Sequence, residues 1–236
     1  SDVYKRQDIN DATIRVLKRF GCEVVISAGQ GCCGSLSHHM GKKFDAQAAA
    51  IKNIDAWYSE LSDNGLDAIV INTSGCGTTV KDYHHMFKGT EHEDKAKAIA
   101  GLTKDISEIL VSLDLPDQSE NRINVAYHSA CSLQHGQQVS SYPKDILKKC
   151  GYKISEPKDS HLCCGSAGTY NLLQPKISQE LKNRKIQSLE AKKPDIIAAG
   201  NLGCMMQISS STKIPVVHTV ELIDWATGGP KPNKLY

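Results

Sequence analysis

The sequence DAIVINTSGC at residues 67–76 aligns without a gap with DIIAAGNLGC at residues 195–204. In both stretches a short apolar run leads into Gly-Cys. Upstream, GCEVVIS at 21–27 aligns with GYKISEP at 151–157, and each stretch runs on into a Cys-Cys-Gly triplet. Self-similarity at a fixed distance is the signature of a duplicated structural unit. We therefore predict a first repeat over 1–113, a polar linker over 114–121 and a second repeat over 122–236.

Short apolar runs alternate with longer amphipathic stretches in both repeats. This alternation predicts an α/β fold with two lobes, each a small parallel sheet flanked by helices, related by a pseudo-twofold axis. We expect strands at 22–27, 68–72, 123–127, 152–155, 195–199 and 216–218. We expect helices at 10–20, 35–61, 78–87, 95–100, 105–111, 143–149, 174–191 and 220–226, with a turn after Cys204.

The second repeat opens with INVAYHSAC at 123–131, an apolar strand that ends in a cysteine. Cys131 precedes Gly151 by the same distance as Ser1 precedes Gly21, yet no cysteine or apolar strand lies there. We therefore expect a first lobe truncated by one strand, in a sequence whose front lies upstream; a degenerate first repeat is the alternative. An exposed sheet edge near Val24, Val25, Ile69 and Ile71 would follow, because unpaired strand edges invite association.

Two Cys-Cys-Gly triplets stand out among the nine cysteines, at 32–34 and 163–165. Adjacent cysteines bridge to each other only with strain, so they suit a metal better than a disulfide. In a parallel sheet, ligands bind beyond the carboxyl ends of the strands. The candidate ligands that we expect directly after strand ends in the second repeat are Cys131, Cys163, Cys164 and Cys204. The matching first site holds Cys32, Cys33 and Cys76 and lacks a fourth ligand.

Four thiolates suit either a [4Fe-4S] cluster or a structural zinc ion. Zinc ribbons use short paired spacings, whereas the intervals here are long and two ligands are adjacent. We favour the cluster, with zinc as the alternative. Cys22 and Cys150 lie where a helix gives way to a strand, which indicates buried, inert thiols.

Histidines near these cysteines have two readings each. His38 or His39 could replace the missing first-site ligand, although exposure at a helix start is the simpler interpretation. His128 and His135 flank Cys131. A role beside the ligands and an ordinary hydrogen-bonded loop position both fit them.

Composition excludes several classes of protein. The 236 residues carry a formal net charge of +2 with mixed signs, so nothing indicates a nucleic-acid surface. No apolar run reaches the length of a membrane helix, and no secretory signal is present. An odd cysteine count favours a reducing compartment, so we expect a cytoplasmic location. Phosphate-loop and nucleophile-elbow motifs do not occur in the sequence, and we assign no catalytic residue.

The cysteine motifs together resemble a known family. The stretches that carry the resemblance are QGCCGSLSHHMG at 30–41, TSGCG at 73–77, CSLQHG at 131–136, LCCGSAGTY at 162–170 and GNLGC at 200–204. They are similar to the cysteine-rich CCG domains of heterodisulfide reductases, of lactate-utilisation iron–sulfur proteins and, most of all, of the iron–sulfur subunits of bacterial glycolate oxidases. The chain departs from the family pattern at Thr73 and Asn201, which stand where that pattern has the first cysteine of Cys-x-x-Cys.

The resemblance implies an electron-transfer subunit. Such a subunit takes electrons from FAD-containing subunits that oxidise glycolate to glyoxylate and passes them towards the quinone pool. On this resemblance, the chain is not expected to catalyse a reaction alone. It is expected to associate peripherally with the inner face of the bacterial membrane through the complex. Two alternatives stay open, namely a thiol or heterodisulfide reductase type of subunit and a structural zinc module for assembly.

Overall fold

The computed structural model describes residues 6–118 and 123–236. The helices of the first repeat are α1 (Gln7–Arg19), α2 (Ser35–His39), α3 (Lys43–Asp63), α4 (Ser74–Lys81), α5 (Tyr83–Met86), α6 (Glu93–Leu102) and α7 (Ile106–Leu110). Its strands are β1 (Ile69–Ile71) and β2 (Thr103–Asp105). The linker predicted over 114–121 falls partly outside the described residues.

The second repeat follows the same alternation. Its strands are β3 (Asn124–His128), β4 (Lys153–Ser155), β5 (Ile196–Ala199) and β6 (Val216–His218). A π-helical turn (Ser132–Gly136) follows β3. The helices are α8 (Tyr142–Lys149), α9 (Tyr170–Leu173), α10 (Pro175–Glu190), α11 (Leu202–Ser209) and α12 (Thr219–Ala226), and a 3₁₀ turn (Asn233–Leu235) ends the chain.

Both sheets are small, parallel and flanked by helices, which confirms the predicted α/β class. The sheet of the second repeat has the order β4-β3-β5-β6, and β5 is buried along its whole length. The sheet of the first repeat pairs β1 with β2. Ile69 faces Thr103 in β1–β2, and its repeat counterpart Ile197 faces Val216 in β5–β6. The two aligned segments therefore adopt the same strand-then-helix conformation with the same neighbour.

The strand predicted at 22–27 is wrong, since residues 22–26 have no regular secondary structure. In the second sheet the matching strand, β4, is hydrogen-bonded to β3 alone. No described residue of the first repeat provides a counterpart of β3, so residues 22–26 have no strand to pair with. The position that β3 fills in the second sheet lies, in the first repeat, between residues 22–26 and β1. It is therefore an interior position of the sheet and not an outer edge. Val25 and Ile26 are 49% and 66% exposed there, whereas Ile69 is buried.

Helix α1 forms because apolar residues recur every three or four positions along it. Its buried positions are Ile9, Ala12, Thr13, Val16 and Leu17. This stripe packs on α12 of the second repeat, and in the corresponding way α8 packs on α7 of the first repeat. The larger hydrophobic core therefore contains α1 and α7 together with the second sheet, and a smaller core lies between α3, α4 and α6.

Ion pairs fix α1 to the second repeat. Arg6 lies 2.7 Å from Glu221, and Arg15 and Arg19 lie 2.6 and 3.0 Å from the two carboxylate oxygens of Asp224. Asp224 is 1% exposed, so its charge depends on these two arginines. Within the described residues, no helix is long and apolar enough to cross a membrane.

Candidate metal centre

The cysteines of the second repeat lie on loops and a helix start beyond the carboxyl ends of its strands. Cys131 follows β3 at the start of the π-helical turn, and Cys204 lies in the first turn of α11, just after β5. Cys163 and Cys164 follow β4 only after a loop at 156–162, so the expectation that all four directly follow a strand is wrong for this pair. The loop returns the pair to the same edge of the sheet.

The side chains of these four cysteines are neighbours in the order Cys131, Cys163, Cys164 and Cys204. The thiols of Cys131 and then of Cys164, beside the Cys163 sulfur, hold the pKa of Cys163 well below its usual range. The Cys164 thiol likewise lowers the pKa of Cys204, while the pKa values of Cys131 and Cys164 are raised. The structure thus brings the four residues together with thiolate character on two, the form in which sulfur binds metals.

The glycine of each triplet has a geometric role. Gly34 and Gly165 have φ of +80° and +88°, a region that side chains disfavour. A Cβ on Gly165 would lie 2.4 Å from the Ser178 carbonyl oxygen, and one on Gly34 would lie 2.7 Å from that of Ala46. Each glycine also points its N–H at the first sulfur of its pair, at 3.3 Å from Cys163 and 3.5 Å from Cys32. The Cys-Cys-Gly loop therefore packs closely against α3 in the first repeat and against α10 in the second.

Three of the four cysteines of the first repeat, Cys32, Cys33 and Cys76, gather around Tyr83. Its hydroxyl donates to the Cys33 carbonyl at 2.9 Å, and the buried Asn53 amide donates to the Cys32 carbonyl at 3.0 Å. Burial raises the pKa of Tyr83 against the opposing hydrogen bond from Asn53, and the nearby side chains of Cys33, Cys76 and Cys32 act in the same direction as burial. Cys32 is exposed, Cys33 buried and Cys76 half-buried. His38 and His39 lie on α2, where both are exposed.

Both cysteine groups line one cleft of about 2550 Å³ between the repeats. Polar contacts connect the repeats between the two groups, with Ser74 Oγ 2.7 Å from Ser132 Oγ and the Asn201 amide donating to Ser74 Oγ at 3.0 Å. Asn201 also accepts the N–H of Cys204 at 3.1 Å and so caps α11. At Asn201, where the family pattern has a cysteine, this chain has a helix cap that also bridges the repeats.

Sequence reasoning left His128 undecided and missed Lys185. His128 is not a loop residue: it ends β3, is 1% exposed and has no nitrogen or oxygen partner for either ring nitrogen among the described residues. One ring nitrogen and the Sγ atoms of Cys164 and Cys204 all lie within 4.8 Å of one another. Lys185 is also 1% exposed, and its ammonium donates to the Asp159 and Ser160 carbonyls at 3.2 Å. Burial lowers the pKa of Lys185, and the nearby side chains of Cys164, Cys163 and Cys204 oppose this shift.

These residues fit a thiolate-bound iron–sulfur group. The donor set is four sulfurs, two of them with thiolate character. The ring nitrogens of His128, buried without a nitrogen or oxygen partner next to two of those sulfurs, suit a polar group that binds there. The cluster type and the ligand set stay predictions.

The chain belongs to the cysteine-rich domain (CCG) family, whose model matches residues 2–81 and 125–209. One matched region lies within each of the two repeats.

Three relatives show how far the similarity extends. The glycolate oxidase iron-sulfur subunit of Escherichia coli is 36% identical over 92% of this chain and 54% of the relative. A Bacillus subtilis protein named a probable glycolate oxidase iron-sulfur subunit is 32% identical over 93% of this chain and 51% of the relative. Lactate utilization protein A of Oceanobacillus iheyensis is 28% identical over 92% of this chain and 90% of the relative. The chain thus spans about half the length of the first two.

Proposed function

We propose that this chain is an iron–sulfur electron-transfer subunit of a glycolate or related 2-hydroxy acid oxidase. The carrying observation is the group of four neighbouring thiols at the carboxyl edge of the second sheet, with a buried imidazole beside it. A cluster supplies one-electron transfer when it is bound, at a potential that the protein sets through burial and hydrogen bonds to sulfur.

The chain's own residues give this site three properties. Cys131, Cys163, Cys164 and Cys204 provide the ligands of a [4Fe-4S] cluster. Burial of Cys164 and Cys204 keeps water from that side, and the cleft leaves the other side open to a partner. No described group here is arranged to remove a proton from glycolate, so the chain serves as a relay and does not turn over substrate alone.

The partners follow from the same proposal. FAD-containing subunits oxidise glycolate to glyoxylate and deliver electrons to this chain, which passes them towards the quinone pool. The chain works in the cytoplasm and reaches the inner face of the membrane through its complex. The names of the relatives support both glycolate and lactate as substrates of the complex.

Anaerobic reconstitution tests the proposal. The full chain, incubated with iron and sulfide, is expected to take up both in a ratio near one, to show broad visible absorption, and to give an electron paramagnetic resonance signal on reduction. The competing reading is zinc, for which the closeness of His128, Cys164 and Cys204 is suitable. A colourless protein with stoichiometric zinc and no uptake of iron or sulfide would reject the electron-transfer proposal.

A second experiment tests the partner. The reconstituted chain is mixed with the FAD-containing subunits and either glycolate or lactate, and reduction of the cluster is followed by its visible absorption. Reduction that requires both the flavin subunits and one of the two substrates supports the relay. Reduction by substrate without the flavin subunits would contradict it.

A further inference from the structure

His128 is the last residue of β3, an interior strand of the second sheet. This strand pairs with β4 on one side and with β5 on the other, where His128 faces Ala199. Its ring is 1% exposed, so water does not reach it. Neither Nδ1 nor Nε2 has a nitrogen or oxygen partner among the described residues, and the polar side chain that the ring approaches is that of Cys204, whose pKa His128 lowers.

Such a histidine is costly. A neutral imidazole has one donor and one acceptor nitrogen, and each one buried without a partner loses its hydrogen bond to water without a replacement. Leucine at this position would avoid that cost. The arrangement is therefore accounted for if a polar group reaches the ring in the working protein.

The surroundings identify that group. One ring nitrogen and the sulfurs of Cys164 and Cys204 lie within 4.8 Å of one another, so whatever these cysteines hold meets the imidazole. Another buried polar group near these sulfurs, Lys185, donates from its ammonium to the carbonyls of Asp159 and Ser160. The Gly165 N–H points at Cys163. His128 is thus the side chain placed to serve the side of the site formed by Cys164 and Cys204.

We propose that His128 donates a ring N–H hydrogen bond to sulfur of the cluster side held by Cys164 and Cys204, and thereby raises the cluster's reduction potential. This rests on the proposed function. Reduction adds negative charge to the cluster and its sulfurs, so a fixed N–H donor stabilises the reduced state more than the oxidised state. His128 is a positioning and tuning residue, while the four cysteines remain the ligands.

The test compares three variants of the full chain after anaerobic reconstitution. His128→Leu removes the donor and leaves an apolar side chain. His128→Asn keeps an N–H donor. His135→Leu is the matched control, because His135 also flanks Cys131 but is exposed. Iron and sulfide content, thermal unfolding and a redox titration followed by electron paramagnetic resonance are measured for each.

We expect His128→Leu to bind as much iron and sulfide as the unsubstituted chain but to be about tenfold harder to reduce, which for one electron is a fall of about 59 mV. His128→Asn should recover part of the difference, and His135→Leu should leave the potential unchanged. Partial recovery by asparagine separates donation from mere packing. If His128→Leu does not fold, His128→Asn provides the test instead. A reduction potential of His128→Asn that lies between that of the unsubstituted chain and the value expected without a donor supports the proposal.

Two results would overturn the inference alone. One is an unchanged potential in a folded, fully loaded His128→Leu variant. The other is a folded variant that no longer binds iron, which would make His128 a ligand rather than a donor. Failure of the unsubstituted chain to take up iron and sulfide would instead reject the proposed function, and the inference with it.

Discussion

At the scale of single residues, Cys150 provides the internal control for the metal site. It is 1% exposed, and burial raises its pKa to about 12, so it is a thiol at neutral pH. We predict that Ser in place of Cys131, Cys163, Cys164 or Cys204 abolishes uptake of iron and sulfide, because each change removes one of four ligands. Cys150→Ser should leave uptake unchanged. The measurement is iron and sulfide content after anaerobic reconstitution.

Equal loss of uptake in Cys150→Ser would show that the ligand set is drawn wrongly. Full uptake in any of the four single variants would remove that residue from the set. Unfolding by urea, measured for each metal-free variant, separates loss of a ligand from loss of the fold.

His218 gives stability a dependence on pH. Its Nδ1 accepts the Val220 N–H at 3.1 Å, and its Nε2 donates to the Asn72 carbonyl at 2.8 Å, which joins the two repeats. Burial lowers the pKa of His218 to about 4, below the value of about 6.5 in an unfolded chain. The unfolded state therefore binds more protons than the folded state between these values. We predict that this contribution is complete above pH 6.5 and is lost as the pH falls towards 4, by up to about 1.4 kcal/mol per pH unit.

The matched variant is His218→Asn, since asparagine keeps an N-cap acceptor but does not titrate. Urea unfolding at pH 5 and pH 7.5 measures the difference between the two proteins. The difference in the free energy of unfolding between the two proteins should be smaller at pH 5 than at pH 7.5. A difference of equal size at both values would contradict the assignment to His218.

At the scale of elements, none of the described residues places a strand in the space between residues 22–26 and β1. Val25 and Ile26 are exposed there beside backbone groups that have no sheet partner among the described residues. We predict that lysine at both positions reduces self-association of the chain, because charged residues protect unpaired strand edges. Sedimentation velocity over a range of concentrations measures the effect.

Phe44→Lys is the control, because Phe44 is 84% exposed but lies on α3, away from that space. If Phe44→Lys reduces association more than the double variant does, exposed apolar area rather than the unpaired segment causes it.

Most elements of this fold follow from local patterns in the sequence. The aligned runs at 67–76 and 195–204 predict β1 and β5 because short, buried β-branched runs are typical of parallel strands. The strand predicted at 22–27 fails because its partner, not its own sequence, decides whether it pairs. Strand β2 was missed because Thr103, Lys104 and Asp105 do not look like a buried strand. Helix α11 was taken for a turn because Gly203 and Cys204 conceal its start.

Local patterns in the sequence predict only part of the candidate site. Repeated Cys-Cys-Gly triplets identify the cysteines, since their spacing is local. His128 and Lys185 carry no such signal, because a histidine in a strand and a lysine in a helix are common surface residues. Their importance comes from burial, which only the packing of β3 and α10 around the cysteines creates. The continuous apolar run before His128 was the one available hint.

At the scale of the whole molecule, a helix of each repeat packs on a helix of the other, α1 on α12 and α8 on α7. The ion pairs of Asp224 with Arg15 and Arg19 stabilise the contact between α1 and α12. We predict that Asp224→Asn lowers the free energy of unfolding by about 3 kcal/mol, because two arginines then face a neutral, buried amide. Urea unfolding measures the loss. Trp57 on α3 and Trp225 on α12 report on one repeat each, so Trp57→Phe and Trp225→Phe allow each repeat to be followed alone.

The urea midpoints reported by Trp57 and by Trp225 should fall together, because α1 belongs to the core of the opposite repeat. A midpoint that shifts for Trp225 and stays fixed for Trp57 would show that the repeats unfold independently.

The shared core has a consequence for the cofactor. A group that binds only the folded chain adds its binding free energy to folding, and in a cooperative unit that addition is felt everywhere. Iron and sulfide taken up by the second repeat would then delay the melting of Trp57 in the first, although Trp57 lies on α3, in the smaller core of the other repeat. In a cell poor in iron, the entire chain and not merely one half would become susceptible to proteases, so its abundance would follow the iron supply.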